Sequence, residues 1–149
     1  QKTKNENIFY MGRNIDMDIS FESSLKLKEI SYINSFAIGA GELKHGTIAL
    51  VDDKTFVVAL STQEKLIEKM IANIKEVKAR GAKVLTVTKE TTKFLNDCCD
   101  EIILIPETLD IFTPLLSIIP MQLLAYYIST LRGNNVDKPR NLAKSVTVE

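Results

Sequence analysis

Three segments frame the stretch that decides the fold: Thr55-Phe-Val-Val-Ala-Leu60, Ser61-Thr-Gln-Glu64 and Gly81-Ala-Lys-Val-Leu-Thr-Val-Thr88. Thr55 to Leu60 is rich in β-branched and apolar residues and predicts a strand. Ser61-Thr-Gln-Glu64 has the form of a capping box, which would open a helix. Leu66, Ile67, Met70, Ile71, Ile74 and Val77 then recur at helical spacing. Gly81 stands where a left-handed cap residue closes a helix. Val84 to Thr88 predicts the next strand. A strand, a helix and a second apolar strand without polar alternation are what a parallel sheet covered on both faces requires.

Working outward, Asn7 to Met11 reads as a buried strand ending at Gly12, and a helix follows from about Asp16 to Ile33. Ser35 to Gly41 reads as a small-residue connection. A short helix is expected near Thr92 to Asn96, a strand at Ile102 to Ile105, and a last helix from Thr113-Pro114, kinked at Pro120 and ended by Gly133. Strands alternate with helices throughout. The expected fold is therefore α/β, a three-layer α/β/α doubly wound and mostly parallel sheet. Ligands on such sheets bind beyond the carboxyl ends of the strands.

The chain has 149 residues, 45% hydrophobic and 26% charged, with 19 Lys+Arg balanced by 19 Asp+Glu. One domain with one core is expected at this length. The charge balance argues against a broad nucleic-acid footprint. The only cysteines are the adjacent Cys98 and Cys99, too close for an unstrained disulfide and without zinc spacing. Two reduced thiols suit a cytoplasmic protein. No signal peptide is evident, and the opening on Gln1 reads as the start of an excised piece. Ile111 to Leu131 carries no charged residue and is long enough to span a bilayer. Its Pro, Ser, Gln and Thr residues favour a buried helix at a domain or subunit interface instead.

The first helix holds the most informative side chains. Glu22, Lys26 and Glu29 share one stripe about 60° wide. Phe21, Leu25 and Tyr32 flank it, and Leu27 and Ile30 lie on another side. Packing on both flanks would sink the row into a crevice. There, desolvation raises a carboxyl pKa and an ammonium lowers it, which can poise a carboxylate for proton transfer. Two ion pairs on a solvated helix are the plainer reading. His45, the only histidine, sits in a loop or helix start, as a solvated surface group or a proton carrier. Met11-Gly12-Arg13-Asn14 reads as a tight turn or a phosphate-facing loop. The end of the chain, Asp137 to Glu149, is a flexible terminus or a docking tail. In the second case Lys144 would approach a carbonyl substrate, where an amine can form an imine.

Phe21-Glu-Ser-Ser-Leu-Lys-Leu-Lys-Glu-Ile-Ser-Tyr-Ile33, Gly41-Glu-Leu-Lys-His-Gly46 and Pro139-Arg-Asn-Leu-Ala-Lys-Ser-Val-Thr-Val-Glu149 resemble the glucosamine-6-phosphate synthases. These are the isomerising glutamine–fructose-6-phosphate aminotransferases. The resemblance covers nearly the whole chain, and the tail motif separates this family from other sugar-isomerase (SIS) domains. It implies the second of two SIS halves, SIS-type and flavodoxin-like, over residues 7–133. An active-site tail would occupy residues 134–149, after a polar lead over residues 1–6. Catalytic residues would be Glu29, Lys26, His45 and Lys144. Glu29 is implied as the base moving a proton between C1 and C2, Lys26 as its neighbour, His45 as an aid to ring opening in the neighbouring subunit's site, and Lys144 as the amine engaging the sugar carbonyl. Substrate contacts would come from Glu22, Ala143 and Lys144, while Arg140 would lie near the glutaminase interface.

The resemblance implies fructose 6-phosphate and glucosamine 6-phosphate as ligands and a homodimer. It also implies a glutaminase domain and a first SIS half as partners, and no metal or other cofactor. Nucleic acid and membrane are not expected partners. Asn34 and Thr47 depart from the His and Pro of some members. The phosphate-holding Ser/Thr loop of the first half has no counterpart here, so the chain alone is expected to be inactive. The rival expectations are a non-catalytic sugar-phosphate-binding SIS regulatory module and an oligomerisation element.

Overall fold

The computed structural model describes residues 7–140 and Leu142. Among these, five strands form one parallel sheet: β1 (Asn7–Gly12), β2 (Asn34–Gly39), β3 (Phe56–Ser61), β4 (Lys83–Thr88) and β5 (Glu101–Leu104). Their order, β2-β1-β3-β4-β5, is the flavodoxin-like doubly wound order. Both faces of the central strands are buried, which explains their unbroken apolar runs. Phe9, Met11, Val57, Ala59 and Val84 face α2 (Ile67–Lys78) and α3 (Lys93–Cys98). Ile8, Tyr10, Val58, Leu60, Leu85 and Val87 face α1 (Ile15–Ser31) and α4 (Thr113–Leu131). Burying each such aliphatic side chain is worth about 1.5–3 kcal/mol.

Three helix ends follow the expected chemistry. Gly81 (φ 92°) and Gly133 (φ 77°) take the left-handed position. At the first, the Ala82 N–H reaches the Val77 carbonyl, and at the second the Asn134 N–H reaches the Ser129 carbonyl, each closing a Schellman motif. Thr92 caps α3, its Oγ1 accepting the Leu95 N–H at 3.2 Å.

Other expectations are corrected. Residues 34–39 are not a connection but the edge strand β2, in register with β1 from Asn7↔Asn34 to Gly12↔Gly39. No capping box forms at Ser61–Glu64. Ser61 stays in β3, and α2 starts only after a 3-10 turn at Glu64–Leu66, without a side-chain cap. Ser61 is instead paired with Thr88 of β4 in the sheet, and beside it the Thr62 N–H and Oγ1 bind the Asp16 carboxylate. Pro120, where a kink is expected, lies inside α4, which extends from Thr113 to Leu131.

The inner face of α1 also differs from its reading. Besides Leu27 it buries Ser20, Ser23, Ser24 and Ser31, while Phe21 and Leu25 are exposed. Ser20, Ser23 and Ser31 donate to carbonyls four residues back, and Ser24 pairs with Ser35 of β2 at 2.9 Å. Satisfied small hydroxyls permit burial of a polar face and close approach of a neighbour. That neighbour is α4, which turns inward its own ridge of Thr113, Ser117, Met121, Ala125 and Ser129. Among the described residues α4 is buried along this one stripe. Leu115, Ile119, Leu123, Tyr126 and Tyr127 are exposed. Among the described residues, Asp110–Leu131 is the one helical stretch long and apolar enough to cross a membrane, and 22% of its window is buried.

Candidate active site

The predicted row exists as an ion-paired line along α1. The Lys26 ammonium lies 2.9 Å from Glu29 Oε2 and 3.5 Å from Glu22 Oε1. Its hydrogen bond to Glu29 is the main influence holding it above the ordinary lysine range, reinforced by the charges of Glu29 and Glu22. The Glu29 side chain is the most enclosed of the three, 22% exposed against 39% for Lys26 and 45% for Glu22. The crevice expected around the row is not formed among the described residues. Phe21 and Leu25, which were to wall one flank, are 51% and 44% exposed. α1 also leads back from the end of β1 to the start of β2, whose Asn34 pairs with Asn7 at the start of β1. Glu29 therefore lies near the amino ends of the strands, away from the carboxyl-end crevice where such sheets ordinarily bind ligands.

The beginning of the tail converges on this end of α1. The Ser129 hydroxyl donates to the Ile30 carbonyl at 2.6 Å, and Asn134 Nδ2 donates to the Ile30 and Ser31 carbonyls at 3.4 and 3.3 Å. These bonds satisfy acceptors that a helix C-terminus leaves open. Tyr32 ends α1 in the left-handed conformation (φ 60°, ψ 21°). Its phenol oxygen accepts the Arg140 N–H at 2.7 Å, and the Arg140 guanidinium lies 4.1 Å from the ring centroid. Ala143 and Lys144 lie outside the described residues.

His45 is not brought to the row. It ends a 3-10 helix, Ala40–His45, that follows the carboxyl end of β2, and it is exposed. Leu43 of that helix is buried with the α2-side core. Its mooring is polar: Lys44 Nζ pairs with Glu76 Oε1 of α2 at 2.8 Å. Arg13 sends Nε and Nη2 to Asn73 Oδ1 at 3.1 and 3.0 Å. A Cβ at Gly41 would sit 3.2 Å from Arg13 Nη1, so the glycine lets the guanidinium pass.

Arg13 thus belongs to an internal brace, and the Gly12 turn serves packing. A Cβ at Gly12 would lie 2.4 Å from the Asp16 backbone, and only glycine allows α1 to start so close. Asn14 takes an uncommon conformation, φ 52° and ψ −130°. Asp16 and Thr62, which sequence reasoning did not single out, join across this point. Burial raises the Asp16 carboxyl above its usual range, against the opposing hydrogen bonds from Thr62 and Gln63. Nearby, a cleft of about 210 Å³ is lined by Thr62, Glu64, Ile67, Thr88, Lys89 and the carboxylates of Glu90 and Glu107. Lys89 is already paired there with Glu107 and Asp110, at 3.2 and 3.0 Å. Among the described residues no cluster of His, Cys, Asp and Glu is arranged to hold a metal ion.

An all-parallel sheet wound in this order, with an acid–amine–acid row on its first helix, defines a class. The chain belongs to the SIS domain family, whose model matches residues 3–132. Within that family its similarity is specific. It is 56% identical over 144 residues to a glutamine–fructose-6-phosphate aminotransferase (isomerizing) of Caldanaerobacter subterraneus subsp. tengcongensis, and the match covers 97% of this chain and 24% of that protein. It is 55% identical to the protein of the same name from Clostridium acetobutylicum, with the same coverage. The solved C-terminal domain of the glucosamine-fructose-6-phosphate aminotransferase of Francisella tularensis superposes with a TM-score of 0.82 at 34% identity, over 91% of this chain and 38% of that one. The chain thus spans about a quarter of the length of the curated relatives it matches.

Proposed function

We propose that the chain is the second SIS half of an isomerising glutamine–fructose-6-phosphate aminotransferase, and that α1 supplies its proton-transfer group. The observation that carries this reading is the Lys26–Glu29 pair at 2.9 Å on the least exposed carboxylate of the row, in a chain 56% identical to enzymes of that name. In this reading the Lys144 amine condenses with the C2 ketone of open-chain fructose 6-phosphate and water leaves. Ammonia from a glutaminase domain then replaces the lysine at C2. Glu29 takes a proton from C1 and delivers one to C2, leaving the aldehyde of glucosamine 6-phosphate. Lys26 holds Glu29 in place, and Glu22 and Ala143 contact substrate. His45, exposed and remote from its own row, assists ring opening in a second subunit of a homodimer.

The exposure of the row and the absence of a phosphate cradle from this reading make the chain alone inactive; the first SIS half completes the site. The exposed apolar stripe of α4 favours a second, compatible role as an interface between protein segments in a cytoplasmic enzyme. The Glu29→Gln change in the full-length polypeptide tests the assignment. Glucosamine 6-phosphate synthesis is expected to fall about 10²–10⁴-fold; near-normal synthesis refutes the base.

A further inference from the structure

Tyr32 ends α1 at a positive φ, where the ends of α2 and α4 carry glycine. α2 and α4 both end on a glycine with positive φ, Gly81 and Gly133, whereas α1 ends on a tyrosine at φ 60°. The left-handed region disfavours a residue with a side chain, so retaining an aromatic there calls for something the side chain does. What it does is visible. The hydroxyl oxygen accepts the Arg140 N–H at 2.7 Å, and the ring carries the Arg140 guanidinium at 4.1 Å. Two different attractions, a hydrogen bond and a cation–π contact, act on one tail residue. The left-handed turn aims the ring for both.

The position of this contact matters. Glu29 is three residues before Tyr32, about one helical turn away. Lys144 is four residues beyond Arg140, a span of at most about 14 Å when fully extended. The Tyr32–Arg140 contact is thus the nearest described tie between the helix that bears Glu29 and the segment that bears Lys144. The bonds of Ser129 and Asn134 to the Ile30 and Ser31 carbonyls hold the preceding turn in place, so the tail leaves from a fixed origin.

We propose that Tyr32 is a positioning residue: its ring and hydroxyl hold Arg140 and so set where the C-terminal tail presents its lysine to the substrate beside Glu29. The inference rests on the reading given under Proposed function for the roles of Lys144 and Glu29. Tyr32 itself touches no reacting atom.

The test uses the full-length polypeptide with Tyr32→Gly, Tyr32→Phe and Arg140→Ala. Glycine suits the left-handed turn, so Tyr32→Gly is expected to unfold at or above the wild-type temperature while losing the clamp. Two readouts separate positioning from stability. The first is tryptic cleavage after Arg140, expected to be about tenfold or more faster in Tyr32→Gly as both attractions vanish. The second is borohydride trapping of fructose 6-phosphate on Lys144, in which hydride reduces the imine to a stable secondary amine. Its rate is expected to fall by about 10²-fold when the amine is misplaced. Tyr32→Phe keeps the ring and is expected to lie between.

Wild-type cleavage and trapping in Tyr32→Gly overturn the proposal. If that variant does not fold, Tyr32→Phe decides by the same two rates, and Arg140→Ala, which has no tryptic site at that position, by the trapping rate alone. If the wild-type protein itself traps no sugar on Lys144, the imine reading fails, while the cleavage rates still decide whether Tyr32 clamps the tail.

Discussion

The Asp16 carboxylate accepts two hydrogen bonds from Thr62, 2.8 Å from its backbone nitrogen and 2.5 Å from its Oγ1, where the chain's two winding directions part. Both residues are buried. Asp16→Ala leaves the Thr62 N–H without a partner and is expected to cost about 2 kcal/mol, whereas Thr62→Val, which keeps that N–H bond, costs about 1 kcal/mol. Urea denaturation measures both; a cost for Asp16→Ala below that of Thr62→Val would contradict the account. The pH dependence has a definite sign. Burial raises the folded-state pKa of Asp16 above 3.8, so ionising it costs more in the folded than in the unfolded chain. Wild type therefore loses stability relative to Asp16→Asn as pH rises from 3.8 through the raised value.

Lys26 separates stability from function. Its pairs with Glu22 and Glu29 are partly solvated, so Lys26→Met is expected to change folding stability by less than about 0.5 kcal/mol. Synthesis of glucosamine 6-phosphate by the full-length polypeptide is expected to drop by about 10²-fold or more, because an ammonium beside the base is lost. Thermal unfolding and kcat are the two measurements. A variant that is active but poorly folded would reverse the assignment.

The stripe of Leu115, Ile119 and Leu123 on α4 is apolar and exposed. Charged replacements, Ile119→Lys with Leu123→Glu, are expected to leave the unfolding temperature of the chain near its original value and to reduce self-association in light scattering. Unfolding by this pair would show that the stripe is core after all.

Cys99 is protected by its surroundings. Burial pushes its thiol up to about 12, despite the opposing 2.9 Å hydrogen bond with Thr86 Oγ1. At pH 8 it is a neutral thiol and is expected to react with iodoacetamide far more slowly than a free cysteine. Mass spectrometry of the native protein checks this, and rapid labelling of Cys99 under native conditions would contradict it.

Much of this architecture was legible in the amino-acid order because its strands are buried on both faces. β1, β3 and β4 announce themselves as apolar runs, and Gly81 and Gly133 mark their helix ends. β2 was not legible. It is an edge strand whose Phe36 is exposed, and its pairing with β1 is what makes it a strand. The false capping box at Ser61–Glu64 has a related cause: its spacing carries no trace of Thr88, the β4 residue with which Ser61 pairs. The Glu22–Lys26–Glu29 row was legible through helical spacing alone. Its surroundings were not, because Phe21 and Leu25, which read as apolar walls, stay exposed among the described residues. Tyr32 was read as one more apolar flank, since nothing local reveals that Arg140 would return to it.

The strand order has a kinetic consequence. β4 and β5 pair across the shortest stretch of chain (Leu85↔Glu101), β3–β4 and β1–β2 across longer and equal ones (Phe56↔Lys83, Asn7↔Asn34), and β1–β3 across the longest (Ile8↔Phe56). Loop-closure entropy therefore favours the β3–β4–β5 side, where two short pairings share β4, as the folding nucleus, and leaves the β1–β3 seam to close late. Substitutions at Leu85 or Val87 should therefore slow folding, whereas those at Ile8 or Tyr10 should chiefly speed unfolding. Stopped-flow rates with the opposite pattern would place the nucleus at the β1 side.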